Sequence, residues 1–334
     1  PAGGGPLLRV VYKAVDSLEN NWQKMADVVT NAYPIIAKTF GPYPYKTYTF
    51  IQGGDGGMEY PMSTLIKSAS VGTAIHEWMH TWYQMLMGSN ESLYPWMDEG
   101  FTDYASTRVM AELNGSKGFP YEGSYRSYVS LTKSPFDEPA STHSDHYNTN
   151  LAYSTSSYSK GAVFMSQLGY VIGDSVRDQV LIDYYNAWRF KHPNPNDFIR
   201  VAEKRSGLEL DWYKEYWINS TKTIDYAVGD INLIQDKTNI TIKRIGKMPM
   251  PIDILVTYKD GTQEMHYVPL NLQFGEKPTE SNIPRTVHAA WKWVDPIYQV
   301  AISKSIKDIK SIEIDPSLRM ADVNRTNNKL VIPD

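Results

Sequence analysis

Between positions 17 and about 38, apolar residues recur every three or four places (Leu18, Trp22, Met25, Val28, Val29). That spacing predicts an amphipathic helix with Asp16 or Ser17 capping its start. Gly41-Pro42-Tyr43-Pro44 ends it, and the β-branched and aromatic run at 47–51 (TYTFI) predicts a strand. A glycine cluster (Gly53, Gly54, Gly56, Gly57) leads into Met58-Glu59-Tyr60-Pro61. Helical spacing returns over residues 72–87 and again over 96–113, where Asn114-Gly115 stops it. The Ser/Thr/His/Asp-rich stretch 134–150 predicts a long loop. Helical periodicity resumes at 158–171 and continues, punctuated by Pro193 and Pro195, to about Trp217.

Past Ile224-Asp225-Tyr226 the pattern shortens to alternation: Ile240/Ile242, Ile252/Ile254/Val256, Tyr267 and Leu270/Leu272. Asp260-Gly261 falls between two of these runs and suits a tight hairpin turn. Strands at this spacing without helical stretches predict a β-sandwich of about a hundred residues. The expected organisation is α+β: a mostly helical domain over 1–228, then a small β-sandwich domain over 229–334.

Composition narrows the chemistry. The 334 residues are 42% hydrophobic and 13% aromatic, enough for two domains with real cores. With 33 basic and 37 acidic residues the net charge is −4, so no general attraction to nucleic acid or anionic membranes is expected. There is no cysteine, which removes disulfides, thiolate nucleophiles and thiolate metal sites. No apolar stretch approaches the ~18 residues of a membrane span, so no transmembrane segment is expected. The chain opens on Pro-Ala-Gly-Gly-Gly-Pro rather than Met, which reads as a processed or cut form.

His76-Glu77-Trp78-Met79-His80 is the sharpest signal. Residues four apart share a helix face, so both imidazoles can reach one zinc ion. Glu77, next to the first ligand, can take a proton from an activated water without occupying the metal. By chance alone a chain of this length shows the pattern roughly once in a hundred. A catalytic zinc needs a third protein ligand. Glu99 in Trp96-Met97-Asp98-Glu99-Gly100-Phe101 supplies it, with 18 residues between it and His80, a spacing that lets a second helix return to face the first. Asp103, one turn further, is expected to accept the outer N–H of a zinc-bound histidine. His143-Ser144-Asp145-His146 could chelate a second metal by spacing, but it has no obvious fourth ligand and reads as a solvated loop. His192, His266 and His288 read as structural, and Trp78, Trp82, Tyr83 and Trp96 as core.

HEWMH, the interval of 18 and WMDEGF together resemble the zinc aminopeptidases of the aminopeptidase N family, within the gluzincin metallopeptidases. Gly56-Gly57-Met58-Glu59-Tyr60 is similar to that family's G-x-M-E-N strand, and Ser157-Tyr158-Ser159-Lys160-Gly161 to its Y-x-K-G segment. Lys191-His192-Pro193 through Asp197-Phe198, and Asp225-Tyr226-Ala227-Val228, are similar to bacterial members. The resemblance implies a thermolysin-like catalytic domain followed by a small Ig-like β-sandwich, with one Zn2+. It implies hydrolysis of the N-terminal peptide bond of peptides with a free amino terminus. In that scheme His76, His80 and Glu99 hold zinc, Glu77 is the general base and Tyr158 donates to the oxyanion. Glu59 anchors the substrate's ammonium group, and Gly57 and Met58 shape the first pocket.

This sequence departs from the family at four points. Tyr60 replaces the Asn after Glu59, and Gln84-Met85 replaces Gly-Asn after Trp82-Tyr83. Ser106 replaces the acidic residue seven places after the third ligand. The large β domain that usually precedes the catalytic one is expected to be missing from this chain. Two other readings stand beside the aminopeptidase: a gluzincin endopeptidase or non-peptide hydrolase on the same site, and a catalytically silent scaffold. The bacterial character of the match favours a cell-envelope, periplasmic or secreted setting over the cytoplasm.

Overall fold

The computed structural model describes residues 4–14, 19–234 and 237–333. Asp16 and Ser17, the expected helix start, lie outside the described residues. The chain mixes helices and sheets and divides into two compact units. The first takes Pro1–Leu131, Phe136–Ser166 and Asp178–Val201, and the second Thr132–Pro135, Gln167–Arg177 and Ala202–Asp334.

The first unit opens with strand β1 (Leu7–Val11) and helix α1 (Glu19–Phe40). The buried stripe of α1 is Trp22, Met25, Val29, Ala32, Ile36 and Phe40, the three-and-four spacing read from the sequence. Strands β2 (Thr47–Gln52), β3 (Gly57–Tyr60) and β4 (Ser63–Ile66) complete a sheet of order β1-β2-β4-β3. β3 runs antiparallel to β4, pairs Glu59 with Thr64, and forms one edge of the sheet. Burial alternates along β2, where Tyr48 and Phe50 are fully covered. Their rings lie 5.6 and 5.7 Å from Trp78 of helix α2 (Val71–Met79), which fixes that helix to the sheet through aromatic packing. Ser70 caps α2 by accepting from the Thr73 amide at 3.3 Å.

The remaining helices are α3 (Phe101–Leu113), α4 (Glu122–Thr132), α5 (Asn150–Ser154), α6 (Lys160–Ile172), α7 (Asp174–Trp188), α8 (Pro195–Ser206) and α9 (Asp211–Ile218). Within the first unit, Phe101, Phe164, Tyr184 and Phe198 form one aromatic cluster with Trp96. Three single π-helical turns interrupt the α-helical ladder, at Thr81–Leu86, Trp96–Gly100 and Thr155–Ser159. The expected helices over 72–87 and 96–113 are present, but each contains one of these wider turns. None of the described helices is long and apolar enough to cross a membrane.

The second unit carries strands β5 (Tyr226–Ile234), β6 (Lys237–Arg244), β7 (Ile252–Tyr258), β8 (Gln263–Val268), β9 (Arg285–Val287), β10 (Ile297–Ile302), β11 (Ile309–Ile314) and β12 (Lys329–Val331). They form a three-stranded sheet, β10-β6-β5, and a five-stranded one, β12-β11-β7-β8-β9. β7 alternates strictly, burying Ile252, Ile254, Val256 and Tyr258. Asp260-Gly261 turns the chain from β7 into β8. Gly261 sits at φ +85°, and the Asp260 carboxylate accepts from the Thr262 amide at 2.8 Å.

Candidate active site

His76 and His80 lie on the inner face of α2 and just beyond its end, on successive turns. Their Nε2 atoms are 3.3 Å apart. Oε2 of Glu99 lies 3.3 Å from the first and 3.2 Å from the second, closing a nearly equilateral triangle. Three atoms bound at about 2.0–2.1 Å to one tetrahedral metal are about 3.3 Å from each other, so the triangle has the size of a zinc ligand set. Two imidazoles and a carboxylate are also the donor chemistry that zinc takes. A second trio among the described residues, Glu59, His80 and Asp98, is close enough to hold an ion, but it shares His80 with the first.

The three π-helical turns place these groups. The Trp96–Gly100 turn carries Glu99 and the Thr155–Ser159 turn carries Tyr158. A wide turn inserts one residue and re-aims the side chains after it, which is why such turns concentrate at functional positions. The two turns meet backbone to backbone. A Cβ on Gly100 would lie 2.5 Å from the Gly161 Cα and 2.7 Å from the Ser157 carbonyl, so only glycine allows the approach. Tyr158 thereby stacks on His76, its ring centroid 5.9 Å away and the planes 11° apart. Burial, then the charge of Glu99 and a hydrogen bond to it, keep the phenol protonated by raising its pKa far above its usual value.

The Thr81–Leu86 turn breaks at Tyr83 (φ −116°, ψ 93°), which frees its carbonyl. Thr102 Oγ1 donates to that carbonyl at 2.9 Å, and His80 Nδ1 lies 3.2 Å from it. The closer partner of Nδ1 is Oδ1 of Asp98 at 2.6 Å, both side chains being almost wholly buried. Burial opposes charge on His80, but the hydrogen bonds to Asp98 and Glu99 outweigh it and raise the ring's pKa. Burial likewise disfavours charge on Glu99, yet its bonds to His76 and His80 hold its pKa down to about 2. Burial is also the main reason the Glu77 carboxyl is pushed up to about 7, with the two histidines pulling the other way. Its Oε2 is buried with no hydrogen-bond partner among the described residues. A Cβ on Gly57 would collide with Glu77 Oε1, so that glycine leaves the carboxylate its room.

Two cavities flank the triangle. One, of about 840 Å³, is lined by Gly57, Met58, Glu59, Asp98, Glu99 and Tyr158 among others. The other, of about 740 Å³, takes His76, Glu77, Asp103 and again Tyr158 into its walls. Tyr158 borders both. Residues 56–217 match the peptidase family M1 domain.

Over those residues the chain is similar to M1 peptidases.

It is 26% identical over 199 residues to human aminopeptidase B, a match covering 54% of this chain and 29% of that protein. It is 27% identical over 237 residues to leucine aminopeptidase 2 of Emericella nidulans, covering 61% and 37% respectively. The aligned part of the chain thus spans about a third of the length of these relatives. Among solved structures, the M1 zinc metallopeptidase of Deinococcus radiodurans aligns with TM-score 0.50 at 20% identity, over 62% of this chain and 47% of that one. Aminopeptidase A of Legionella pneumophila in complex with aspartic acid aligns with TM-score 0.59 at 15% identity, over 89% and 34%. At these identities the structures speak for the fold.

The first unit brings His76, His80, Glu99, Glu77, Tyr158, Glu59, Gly57 and Met58 around the two cavities. Asp103 is the exception to the expected roles. Its carboxylate accepts from Ser124 Oγ at 3.3 Å, and the carboxylate that orients a histidine ring is Asp98. The reason is the wide turn at Trp96–Gly100, which rotates Asp98 inward beside Glu99. The signal lay in the Asp-Glu pair of WMDEGF, an acid directly beside the third ligand.

Proposed function

We propose that this chain is a zinc-dependent aminopeptidase that releases the first residue of peptides with a free amino terminus. The observation that carries the reading is the triangle of 3.2–3.3 Å edges between His76, His80 and Glu99. Those three residues would hold the ion. When bound, zinc supplies Lewis acidity and makes water a stronger acid at neutral pH.

The chain's own residues do the rest. Glu77, with an oxygen that has no hydrogen-bond partner among the described residues, receives the proton of the attacking water and delivers it to the departing amine. Tyr158 donates its hydroxyl to the oxyanion that forms at the scissile carbonyl. Glu59, half-buried on the edge strand β3, pairs with the substrate's ammonium group, the charge that distinguishes a chain end from an internal bond. Gly57 and Met58 border the pocket for the first side chain and offer backbone hydrogen bonds to the substrate. The same reading takes residues 1–228 as a thermolysin-like catalytic domain and residues 229–334 as an Ig-like sandwich.

The test compares free and N-acetylated peptides on zinc-loaded protein. Release from the free peptide alone is expected, and equal cleavage of both makes the enzyme an endopeptidase. Glu77→Gln should retain zinc and lose turnover. Activity retained in that variant removes the assigned base.

A further inference from the structure

The 840 Å³ cavity contains four carboxylates, those of Glu59, Glu91, Asp98 and Glu99, and none of its lining residues is lysine, arginine or histidine. Three of the four are accounted for. Asp98 is bound to His80, Glu99 lies between two imidazoles, and Glu59 faces the amino group in the reading above. Glu91 has no such employment. It stands exposed at the cavity wall, where Gln84 Nε2 donates to its Oε2 at 2.5 Å. No other donor among the described residues reaches this carboxylate. The Gln84 amide therefore fixes one oxygen and leaves the other available.

The walls between Glu59 and Glu91 suit a long aliphatic stem. Met58, Met62, Met85, Tyr45, Tyr60 and Tyr153 supply them, and four of these keep a third or more of their surface open although apolar. Thioethers and ring faces accept methylene groups and the edge of a planar cation. Tyr153 senses the whole set. Burial first, then Glu99, Asp98, Glu59 and Glu91, raise its phenol to about 12, which puts Glu91 in the same field as the other three acids.

We propose that Glu91, held by Gln84, selects a cationic side chain, arginine or lysine, on the first residue of the substrate. This rests on the aminopeptidase reading, because it takes the cavity as the place of that residue. A cation there meets a carboxylate with a free oxygen, whereas an acidic first residue meets the negative Glu91 with no lysine, arginine or histidine among the cavity's lining residues.

The experiment measures calorimetric affinities of argininamide and citrullinamide, which are nearly isosteric and differ in charge, on zinc-loaded Glu77→Gln protein. Argininamide should bind about fivefold tighter at low salt, the size expected of a half-exposed ion pair, and the ratio should shrink as salt is raised. In Glu77→Gln/Glu91→Gln the ratio should fall to within twofold of unity. Glu91 is exposed, so its replacement is compatible with folding. Equal affinities in the single variant overturn the proposal, as does a preference that survives loss of Glu91. Should the preference hold while the parent protein frees no residue from any peptide, the aminopeptidase reading falls and the cation selectivity stands. Failure of both amides to bind removes both.

Discussion

Asp98 offers the most informative single perturbation. Its 2.6 Å bond to His80 Nδ1 is charge-assisted and almost wholly buried, and it sets both the tautomer and the angle of the ring whose Nε2 faces Glu99. Asp98→Asn keeps the shape but removes the charge. Charge-assisted bonds are roughly twice as strong as neutral ones, so the loss is about 1.4 kcal/mol, or tenfold in zinc affinity. Asp98→Ala removes the acceptor altogether, leaving Nδ1 with the Tyr83 carbonyl at 3.2 Å. Partners of this kind cost 10–100-fold in metal affinity when removed, so alanine should approach the upper end, roughly 2.7 kcal/mol. Competition against a chromophoric chelator reads the dissociation constants directly. Urea unfolding with and without saturating zinc reads the same difference through linkage. The graded order parent, Asn, Ala is the prediction. Affinities within twofold across the series refute the argument that the Asp98–His80 bond supports the metal site, and a comparable loss in Asp103→Asn would refute the choice between the two acids.

Three further outcomes follow from the same geometry. Tyr158→Phe should lower kcat by roughly a hundredfold or more with zinc content unchanged, and an unaltered kcat reassigns the ring to packing against His76. Gly161→Ala puts a Cβ 2.6 Å from the Gly100 Cα and 2.9 Å from the Trp96 carbonyl, backbone atoms that cannot swing aside. A cost of about 1–3 kcal/mol in denaturant unfolding and a fall in kcat are expected, and an unperturbed variant contradicts the close approach. In the second unit, burial and then neighbouring His288 lower the pKa of His266 to about 4, against 6.5 in an unstructured chain. The unfolded chain takes that proton first, so the full stability present above pH 6.5 is lost as pH falls towards 4, by about 3 kcal/mol. Urea titrations at pH 7 and pH 4.5 should show the loss in the parent and a flatter profile in His266→Gln. Equal slopes in the two proteins sink the assignment.

Much of this was legible in the residues, and the illegible parts share a cause. The period-3.6 stripe of α1, the alternation of β7 and the Asp260-Gly261 turn are local patterns of side-chain burial, which is what periodicity reports. The convergence of His76, His80 and Glu99 was legible because two ligands share a helix face and 18 residues suffice for a return. The π-helical turns were not. One inserted residue leaves the apolar spacing almost unchanged, and what stabilises the turns is tertiary: the contact of Gly100 with Gly161 and the carbonyl of Tyr83 on Thr102. An ideal α-helix starting at Trp96 puts Asp103 one turn beyond Glu99 and so favours it as the orienting acid. The wider turn gives that position to Asp98. Glu91 was missed for a similar reason, since its link to Gln84 joins a loop to a broken helix end and has no periodic signature.

The central claim is that His76 Nε2, His80 Nε2 and Glu99 Oε2 close on a single zinc ion. Anomalous diffraction on either side of the zinc edge, from crystals grown with the metal in slight excess, tests it most directly. The account predicts one strong peak per chain about 2.0–2.1 Å from those three atoms. No peak there, or a peak held instead by Glu59, His80 and Asp98, contradicts it.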